Sequence, residues 1–330
     1  MRAEMRVGIV GAGPMGRLHA KTVSRAAERG EGCVLASVVD RHLGRAERLA
    51  AEFGARATSR LDDVTDELDA VIVAVPTASH APLGRSLLDK GLDLLIEKPL
   101  ATTVSEAEAL CRLASERNVI LQVGHVEWFN PAWREAAGLA GKARSILVER
   151  FNPPSRRGLD IDVVQDFMLH DLDWVTRYLG EEILELEARG RCVENEGYDE
   201  AEVRLVFRSG CRVRLRASRL HADRHRIVRI EGERGCATAD LLARRLVTFE
   251  PRDGEPAASR RSAAAPDAGG RVDPLAAQWH DFLHACGSRS DPETDGRVGM
   301  MALGLVDRVR AAIADAKGRS PRDDDPALGR

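Results

Sequence analysis

The sequence predicts an α/β fold in which a doubly wound parallel sheet is followed by an α/β domain with an antiparallel or mixed sheet. Over residues 1–123, short apolar runs alternate with helical patterns, which is typical of βαβ units with right-handed crossovers. Beyond residue 124, runs that alternate apolar and charged residues indicate a sheet with one solvated face. We therefore expect two domains, 1–123 and 124–330.

The first strand leads into a glycine-rich motif. Val7–Val10 is apolar, as in a strand buried on both faces, and Gly11, Gly13 and Gly16 follow at G-x-G-x-x-G spacing before a helix over 15–29. The first glycine permits the turn, the second lets a pyrophosphate approach the backbone, and the third lets helix and strand pack closely. This pattern predicts a Rossmann domain that binds a dinucleotide at the helix N-terminus. The predicted phosphate-binding residues are Gly11, Gly13, Pro14, Met15 and Gly16.

The second strand, Val34–Val39, ends in an acidic residue, Asp40, which lies 24 residues after Gly16. An acid at this point holds the ribose hydroxyls of NAD. Its neighbour Arg41 could stack on adenine or meet the 2′-phosphate of NADP, but the carboxylate of Asp40 would repel that phosphate. We expect both residues to contact the cofactor and predict NAD, with NADP possible.

The later strands of the first domain carry further candidates where they end. Ligands of open α/β sheets bind at the carboxyl ends of the strands, so residues after the runs Ala70–Val75 and Leu92–Ile96 would border the nicotinamide. Lysine occurs only at positions 21, 90, 98, 142 and 317. A retained lysine is therefore informative, because arginine seldom replaces it in proton chemistry. The predicted cofactor-binding residues here are Pro76, Thr77, His80, Glu97 and Lys98. The last strand of this sheet is Val119–Val123, and the helices between the strands cover 42–53, 79–90 and 104–117.

The second domain mixes helices with alternating strands. A long loop is expected over 251–272, and the tail after residue 318 is expected to fray. The predicted helices are 131–140, 162–179, 274–286 and 296–316, and the predicted strands are Ala143–Phe151, 183–194, 201–208, 211–219, 226–231 and 245–250.

The helix predicted over 162–179 carries an apolar stripe on one side and ionisable residues on the other. Asp166 lies one turn before His170, a spacing that lets the carboxylate orient or charge the imidazole. A histidine with a carboxylate neighbour is the usual general base for an alcohol proton. A solvated charged face remains the alternative for this side of the helix.

Composition narrows the class of protein. The 330 residues include 44% hydrophobic and 31% charged residues, and the formal net charge is −3, so we expect neither nucleic acid nor a membrane as a partner. The first strand begins within a few residues of Met1, and no run is long enough to span a bilayer. The six cysteines form no C-x-x-C pair, which argues against structural zinc and disulfides. These features predict a cytoplasmic protein without a metal.

Taken in order, six pieces of the chain resemble the glucose–fructose oxidoreductase and inositol dehydrogenase (Gfo/Idh/MocA) family: GIVGAGPMGRLHA, Asp40, VPTASH, IEKPLA, VGHVEWFNPA and DFMLHDLD. The resemblance covers most of the chain and weakens after about residue 235. It implies that the C-terminal α/β domain is built on a large, open and mainly antiparallel sheet, which carries the substrate site and mediates contacts in a homodimer or homotetramer. It also implies that Lys98, Asp166 and His170 are catalytic and face the nicotinamide.

The segment GHVEWFNPA looks most like members that act on nucleotide-activated amino sugars, such as UDP-N-acetylglucosamine 3-dehydrogenases. This likeness implies that His125 and Asn130 bind the substrate. Arg156 and Arg157 lie side by side in the loop before the catalytic helix, and guanidinium groups bind phosphate oxygens in pairs. We therefore add both arginines to the substrate-binding candidates.

The function expected from the sequence is oxidation of a secondary hydroxyl of a sugar or, more specifically, of a nucleotide-activated sugar, by hydride transfer to NAD. His170 is the expected base, because an unperturbed imidazole has a pKa of about 6.5. Lys98 would stabilise the developing alkoxide, and Asp166 would orient His170 or contact the substrate. The alternatives are an inositol or free-sugar dehydrogenase, a redox-assisted NAD-dependent glycosidase, and a non-catalytic dinucleotide-sensing regulator.

Overall fold

The structure is a computed structural model that describes residues 4–154, 161–193, 197–251, 261–262 and 273–318. The chain divides into two compact units, of which the first comprises Met1–Pro131 and Ala265–Gly304 and the second comprises Ala132–Ala264 and Leu305–Arg330. This division differs from the predicted boundary at residue 123, because part of the C-terminal region packs with the first unit. The predicted domain boundaries stay a prediction. The predicted loop over 251–272 and the predicted tail lie almost entirely outside the described residues.

The first unit is built on a six-stranded parallel sheet with the order β3-β2-β1-β4-β5-β6. This order reverses direction between β1 and β4, and open α/β sheets bind dinucleotides at such a switch point. The strands are β1 (Met5–Val10), β2 (Cys33–Val39), β3 (Arg56–Thr58), β4 (Ala70–Val73), β5 (Asp93–Ile96) and β6 (Leu121–Val123).

Helices cover both faces of this sheet, which explains the continuous apolar runs of its strands. Val7 and Ile9 of β1 are fully buried in the cluster on one face, and Val71 and Val73 of β4 are fully buried in the cluster on the other. The helices are α1 (Pro14–Glu28), α2 (Leu43–Phe53), α3 (His80–Asp89) and α4 (Val104–Arg117). Helix α4 begins with a capping box between Thr103 and Glu106, which satisfies the backbone N–H groups of these two residues.

Helix α7 (Pro274–Ser288) belongs to this first unit although it lies late in the sequence. Its Trp279 and Phe282 are almost fully buried in the same cluster as Val7 and Ile9. Burying two aromatic side chains removes a large apolar area from water, which accounts for the return of the chain to the first sheet.

The described residues of the second unit form an eight-stranded sheet with the order β14-β13-β12-β11-β7-β10-β9-β8. All neighbours are antiparallel except β7 and β10, which are parallel. The strands are β7 (Ala143–Phe151), β8 (Ile183–Arg191), β9 (Glu200–Phe207), β10 (Arg212–Ser218), β11 (His225–Gly232), β12 (Gly235–Asp240), β13 (Arg245–Pro251) and β14 (Arg261–Ser262).

Burial alternates along these strands, which confirms the predicted sheet with one solvated face. In β9, Val203 and Leu205 are buried while Arg204 between them is exposed. The helices are α5 (Pro131–Ala140), α6 (Leu169–Leu179) and α8 (Gly296–Gly318). A parallel sheet in one unit and a mainly antiparallel sheet in the other confirm the predicted fold class. No helix among the described residues is both long and apolar enough to cross a membrane.

Candidate active site

The glycine loop joins β1 to α1, and each of its three glycines has a distinct environment. Gly11 has a φ of +106°, and a Cβ there would lie 2.2 Å from the carbonyl oxygen of Ala74 in the segment after β4. A Cβ on Gly16 would lie 1.8 Å from the carbonyl oxygen of Gly11. Both positions therefore exclude every side chain for reasons internal to the fold.

Gly13 differs, because a Cβ there would have no atom of the described residues within 4 Å. It is the N-cap of α1, and its φ of −80° is open to any residue. No described residue of the unit requires glycine at this position. Close approach of a pyrophosphate to the backbone does require it, so the loop fits a dinucleotide. Pro14 is exposed, and Met15 is half-buried at the start of the helix.

Asp40 follows β2, and its carboxylate holds the glycine loop in place. Oδ2 accepts the N–H of Ala12 at 2.9 Å, and Oδ1 accepts the N–H of His42 at 2.9 Å. An ionised carboxylate offers about four acceptor sites, so two remain for ribose hydroxyls. Asp40 is half-buried and Arg41 is exposed. The structure therefore places the predicted ribose-binding acid against the predicted phosphate-binding loop.

The turn after β4 contains Pro76, which is exposed, and Thr77, which is half-buried. His80, by contrast, is fully enclosed. Its Nδ1 lies 2.8 Å from the carbonyl oxygen of Pro99, and its Nε2 lies 2.9 Å from that of Val75. The imidazole thus connects the turn after β4 to the turn after β5. These two contacts hold the turns together, and direct contact of His80 with the cofactor stays a prediction.

The turn after β5 carries Glu97 and Lys98, and the two side chains have different surroundings. Lys98 is half-buried, whereas Glu97 is buried and its Oε1 lies 2.7 Å from Nε2 of His19 on α1. Burial would raise the pKa of Glu97, but the hydrogen bond and charge of His19, together with the charge of Lys98, lower it overall. The turn therefore contains an ionised carboxylate beside its lysine.

In the second unit, Asp166 and His170 lie at an irregularity in the helix. Val164–Met168 forms one π-helical turn, and α6 follows from Leu169. The predicted helix over 162–179 is thus present from residue 163, and the π turn in its first part is a feature that the spacing did not predict. Asp166 lies within the π turn and His170 lies just after it, and both are half-buried. Single π turns occur frequently at functional sites. The π turn therefore supports a functional role for Asp166 and His170.

The other acidic residues of this region are buried rather than solvated. Asp171 is held by Arg150 of β7 through two contacts of 2.6 and 2.8 Å, and both side chains are at most 2% exposed. Asp162 accepts from Arg310 of α8 at 2.8 Å. Arg219 donates to the carbonyl oxygen of Ile161 at 2.6 Å. These contacts attach the segment around Asp166 and His170 to the sheet and to α8.

The predicted substrate-binding residues fall into two groups. His125 and Asn130 are 1% and 3% exposed, and the Asn130 amide donates to Glu127 at 2.6 Å. Their side chains lie inside the first unit, so direct contact with a substrate stays a prediction. Arg156 and Arg157 lie outside the described residues. Among the residues that the structure does describe, no group of three or more His, Cys, Asp or Glu side chains is placed to hold a metal ion.

Sequence reasoning missed His19, Arg150 and Asp171. His19 occupies the buried face of α1 with Ala20 and Val23, where a polar residue needs a partner. A histidine on the buried face of a helix could have indicated a buried polar contact. Its partner, Glu97, lies 78 residues away in the sequence, so the helix pattern could not identify it. Arg150 likewise falls at a core position of an alternating strand, between Val148 and the end of β7.

Residues 5–125 match the Gfo/Idh/MocA family, described as "Oxidoreductase family, NAD-binding Rossmann fold". UDP-N-acetylglucosamine 3-dehydrogenase of Acidithiobacillus ferrooxidans is 33% identical over 312 residues, which cover 94% of this chain and 97% of that protein. Its solved structure superimposes with a TM-score of 0.82, covering 94% of this chain and 98% of the other at 32% identity. An NAD⁺-dependent scyllo-inositol 2-dehydrogenase of Bacillus subtilis is 30% identical over 260 residues, which cover 70% of this chain and 73% of that protein.

A Rossmann sheet with a dinucleotide-binding glycine loop, joined to a second unit with a mainly antiparallel sheet, defines a class of NAD-binding oxidoreductases. This chain belongs to the Gfo/Idh/MocA family of that class. The predicted family, the predicted cofactor NAD and the prediction that the protein is a dehydrogenase are confirmed at this level.

Proposed function

We propose that this oxidoreductase oxidises a secondary hydroxyl of a nucleotide-activated amino sugar to the ketone. The observation that carries this proposal is the likeness to UDP-N-acetylglucosamine 3-dehydrogenase, which extends over 94% of this chain and 97% of that relative. A likeness over both units favours a shared substrate class more than one confined to the Rossmann sheet, because substrate contacts of such proteins depend on the region outside that sheet.

We assign the dinucleotide to the glycine loop and Asp40. The backbone at Gly13 leaves room for the pyrophosphate, the N-terminus of α1 offers unpaired N–H groups to it, and the remaining acceptor sites of Asp40 suit the ribose hydroxyls. When bound, nicotinamide supplies the acceptor for a hydride. Pro76 and Thr77 border the same edge of the sheet.

We assign the proton chemistry to His170 and Lys98. His170 accepts the proton of the substrate hydroxyl while the hydrogen on the same carbon leaves as hydride, so the products are a ketone, a protonated imidazole and reduced cofactor. Lys98 stabilises the negative charge that develops on the substrate oxygen, as a cation fixed in advance costs no rearrangement during the reaction. Asp166 orients the imidazole.

The experiment is a substrate panel with purified protein and excess NAD⁺, in which the absorbance of the NADH formed is followed. UDP-N-acetylglucosamine is compared with its free amino sugar, glucose, scyllo-inositol and myo-inositol. The mass of the product, measured by mass spectrometry, should be lower than that of the substrate by two hydrogens. Oxidation of the nucleotide sugar in preference to the other compounds supports the proposal. NADH formation from none of them, with NADH binding intact, would contradict it.

A cyclic polyol is the second candidate substrate. The likeness to the scyllo-inositol 2-dehydrogenase favours it, although that likeness covers 70% of this chain rather than 94%. Both candidates present a secondary hydroxyl on a six-membered ring, so the same roles for His170 and Lys98 apply. Faster oxidation of an inositol than of any nucleotide sugar would select this candidate.

A further inference from the structure

The contact between His19 and Glu97 joins two segments that the proposed function uses separately. His19 lies on α1, the helix that begins at the glycine loop, and Glu97 directly precedes Lys98. The imidazole Nε2 and the carboxylate Oε1 are 2.7 Å apart, and the two side chains are only 2% and 11% exposed. A buried contact between a histidine and a carboxylate is costly to break, because it leaves a desolvated polar group without its partner.

The rest of the carboxylate is enclosed as well. Its second oxygen, Oε2, accepts the backbone N–H of Lys98 at 3.2 Å. On another side lies Gly124, where a Cβ would come within 3.0 Å of the same oxygen. The backbone N–H of Glu97 donates to the carbonyl oxygen of Val73 at 2.9 Å. The Glu97 side chain therefore has one position, set by α1 on one oxygen and by the lysine turn on the other.

We propose that His19 is a positioning residue, which acts through Glu97 to fix the turn that carries Lys98. The inference rests on the proposed function, in which Lys98 stabilises charge on the substrate oxygen. Through this contact the helix that receives the pyrophosphate at its N-terminus also holds the lysine turn. Without the imidazole, Glu97 loses the partner that fixes Oε1, and the hydrogen bond that the Lys98 backbone N–H donates to Oε2 loosens with it.

The first test compares His19→Ala, His19→Gln and Glu97→Gln with the wild-type protein. Displacement of Lys98 should lower kcat in His19→Ala by about 10- to 100-fold, the cost of a misplacement of roughly 1 Å. His19→Gln should recover most of this loss, because its amide nitrogen can donate to Oε1 from a similar distance. Glu97→Gln keeps the shape of the side chain but should lower kcat. Its amide has only one acceptor oxygen, so it cannot accept hydrogen bonds from both His19 and the Lys98 backbone.

A readout without turnover keeps the inference independent of the substrate. Hydrogen exchange, resolved by mass spectrometry to the Lys98 amide, should be faster in His19→Ala than in the wild type, since that amide donates to Glu97. Affinity for NADH should change little, because Gly13 and Asp40 are untouched. The matched control is His280→Ala, which removes a histidine held to a glutamate, Glu31, at 2.8 Å on the surface of the same unit; it should leave both kcat and the exchange of Lys98 unchanged.

The decisive comparison introduces His19→Ala into a Lys98→Met background. If His19 acts through Lys98, the double variant should be no slower than Lys98→Met alone, since residues that act as one unit are not additive. A further loss of the same size as in the single variant would overturn the inference and would indicate general damage to the fold.

Failure of the proposed function gives a different result. Normal turnover in Lys98→Met would remove the role of Lys98, whatever the exchange data show. Normal turnover and unchanged exchange of Lys98 in a folded His19→Ala or Glu97→Gln, with Lys98→Met slow, would overturn only the positioning role.

Discussion

Arg150 and Asp171 form a bidentate ion pair inside the second unit, with contacts of 2.6 Å between Nη2 and Oδ1 and 2.8 Å between Nε and Oδ2. Arg150 belongs to the central strand β7, and Asp171 is the residue after His170. The indole of Trp174 donates to the same carboxylate at 3.4 Å. The pair thus attaches the start of α6 to the middle of the sheet, in a place where neither charge can reach water.

We predict that Asp171→Asn lowers the free energy of unfolding by about 3–5 kcal/mol, the usual cost of removing one partner of a buried pair. Urea unfolding followed by circular dichroism measures this change. Replacement of both partners, as Arg150→Met with Asp171→Leu, should recover most of the loss, because it leaves no buried charge without a partner. Glu182→Gln, at the exposed pair with Arg208, is the surface control and should change stability little. A loss in Asp171→Asn as small as in that control would contradict the prediction.

The contacts of Asp40 predict that NADH binds more tightly than NADPH, because the carboxylate accepts ribose hydroxyls and repels a 2′-phosphate. Asp40→Asn should weaken NADH binding by about 10- to 100-fold, corresponding to roughly 1.5–3 kcal/mol for hydrogen bonds to a charged group, and should narrow the difference between the two cofactors. Fluorescence titration of both nucleotides measures the effect. Arg41→Ala separates the alternative: if Arg41 instead recognised a phosphate, this variant would lose NADPH affinity and the wild type would not discriminate against NADPH.

His170→Asn should retain NADH affinity while turnover falls by roughly 10²–10⁴-fold, the usual contribution of a general base. The comparison of stopped-flow single turnovers with steady-state rates shows whether the hydride step itself has slowed. Asp166→Asn should lower turnover less than His170→Asn does, since Asp166 acts on the substrate only through the imidazole of His170. Unchanged turnover in His170→Asn would require another base.

Arg156→Ala combined with Arg157→Ala should raise the Michaelis constant for the nucleotide sugar and leave that for NAD⁺ almost unchanged, because paired guanidinium groups suit a diphosphate. The double variant Arg144→Ala with Arg212→Ala removes the same charge from exposed positions on β7 and β10 and serves as the control. Equal effects of the two double variants would show that net charge, rather than a specific contact, governs the affinity.

Glu97 predicts a dependence of stability on acid. Burial raises its pKa, but the hydrogen bond and charge of His19, together with the charge and backbone N–H of Lys98, hold the pKa below the ordinary value of 4.5. A carboxylate with a lowered pKa in the folded protein stabilises the fold above its unfolded pKa, and this contribution is lost as the pH falls through the folded pKa. The advantage of the wild type over Glu97→Gln in free energy of unfolding should therefore be constant near neutrality and shrink below about pH 4.5. An advantage that grew on acidification would show the pKa of Glu97 to be raised.

Much of the fold was predictable from local patterns, and the exceptions have physical causes. The βαβ alternation and the alternating strands indicated both sheets. Strands β3, β12 and β14 were missed. Arg56–Thr58 and Arg261–Ser262 have only three and two residues, the latter inside the predicted loop, and Gly235–Asp240 consists mainly of small residues, so none of the three shows an apolar run. The π turn at Val164–Met168 was also missed. The spacing of apolar and charged residues in this segment matches that of a regular α-helix, so it does not reveal a single π turn.

The sequence by itself determined the glycine loop, the acid after β2, the lysine after β5 and the order in which they occur. These features are local, since each depends on a strand that ends beside a particular residue. Only the tertiary structure decided which side chains are held by distant partners: His80 between two turns, Glu97 against His19, and Asp171 against Arg150. Burial and hydrogen bonding between residues far apart in the chain depend on how elements pack, and no pattern along a single helix or strand records that packing.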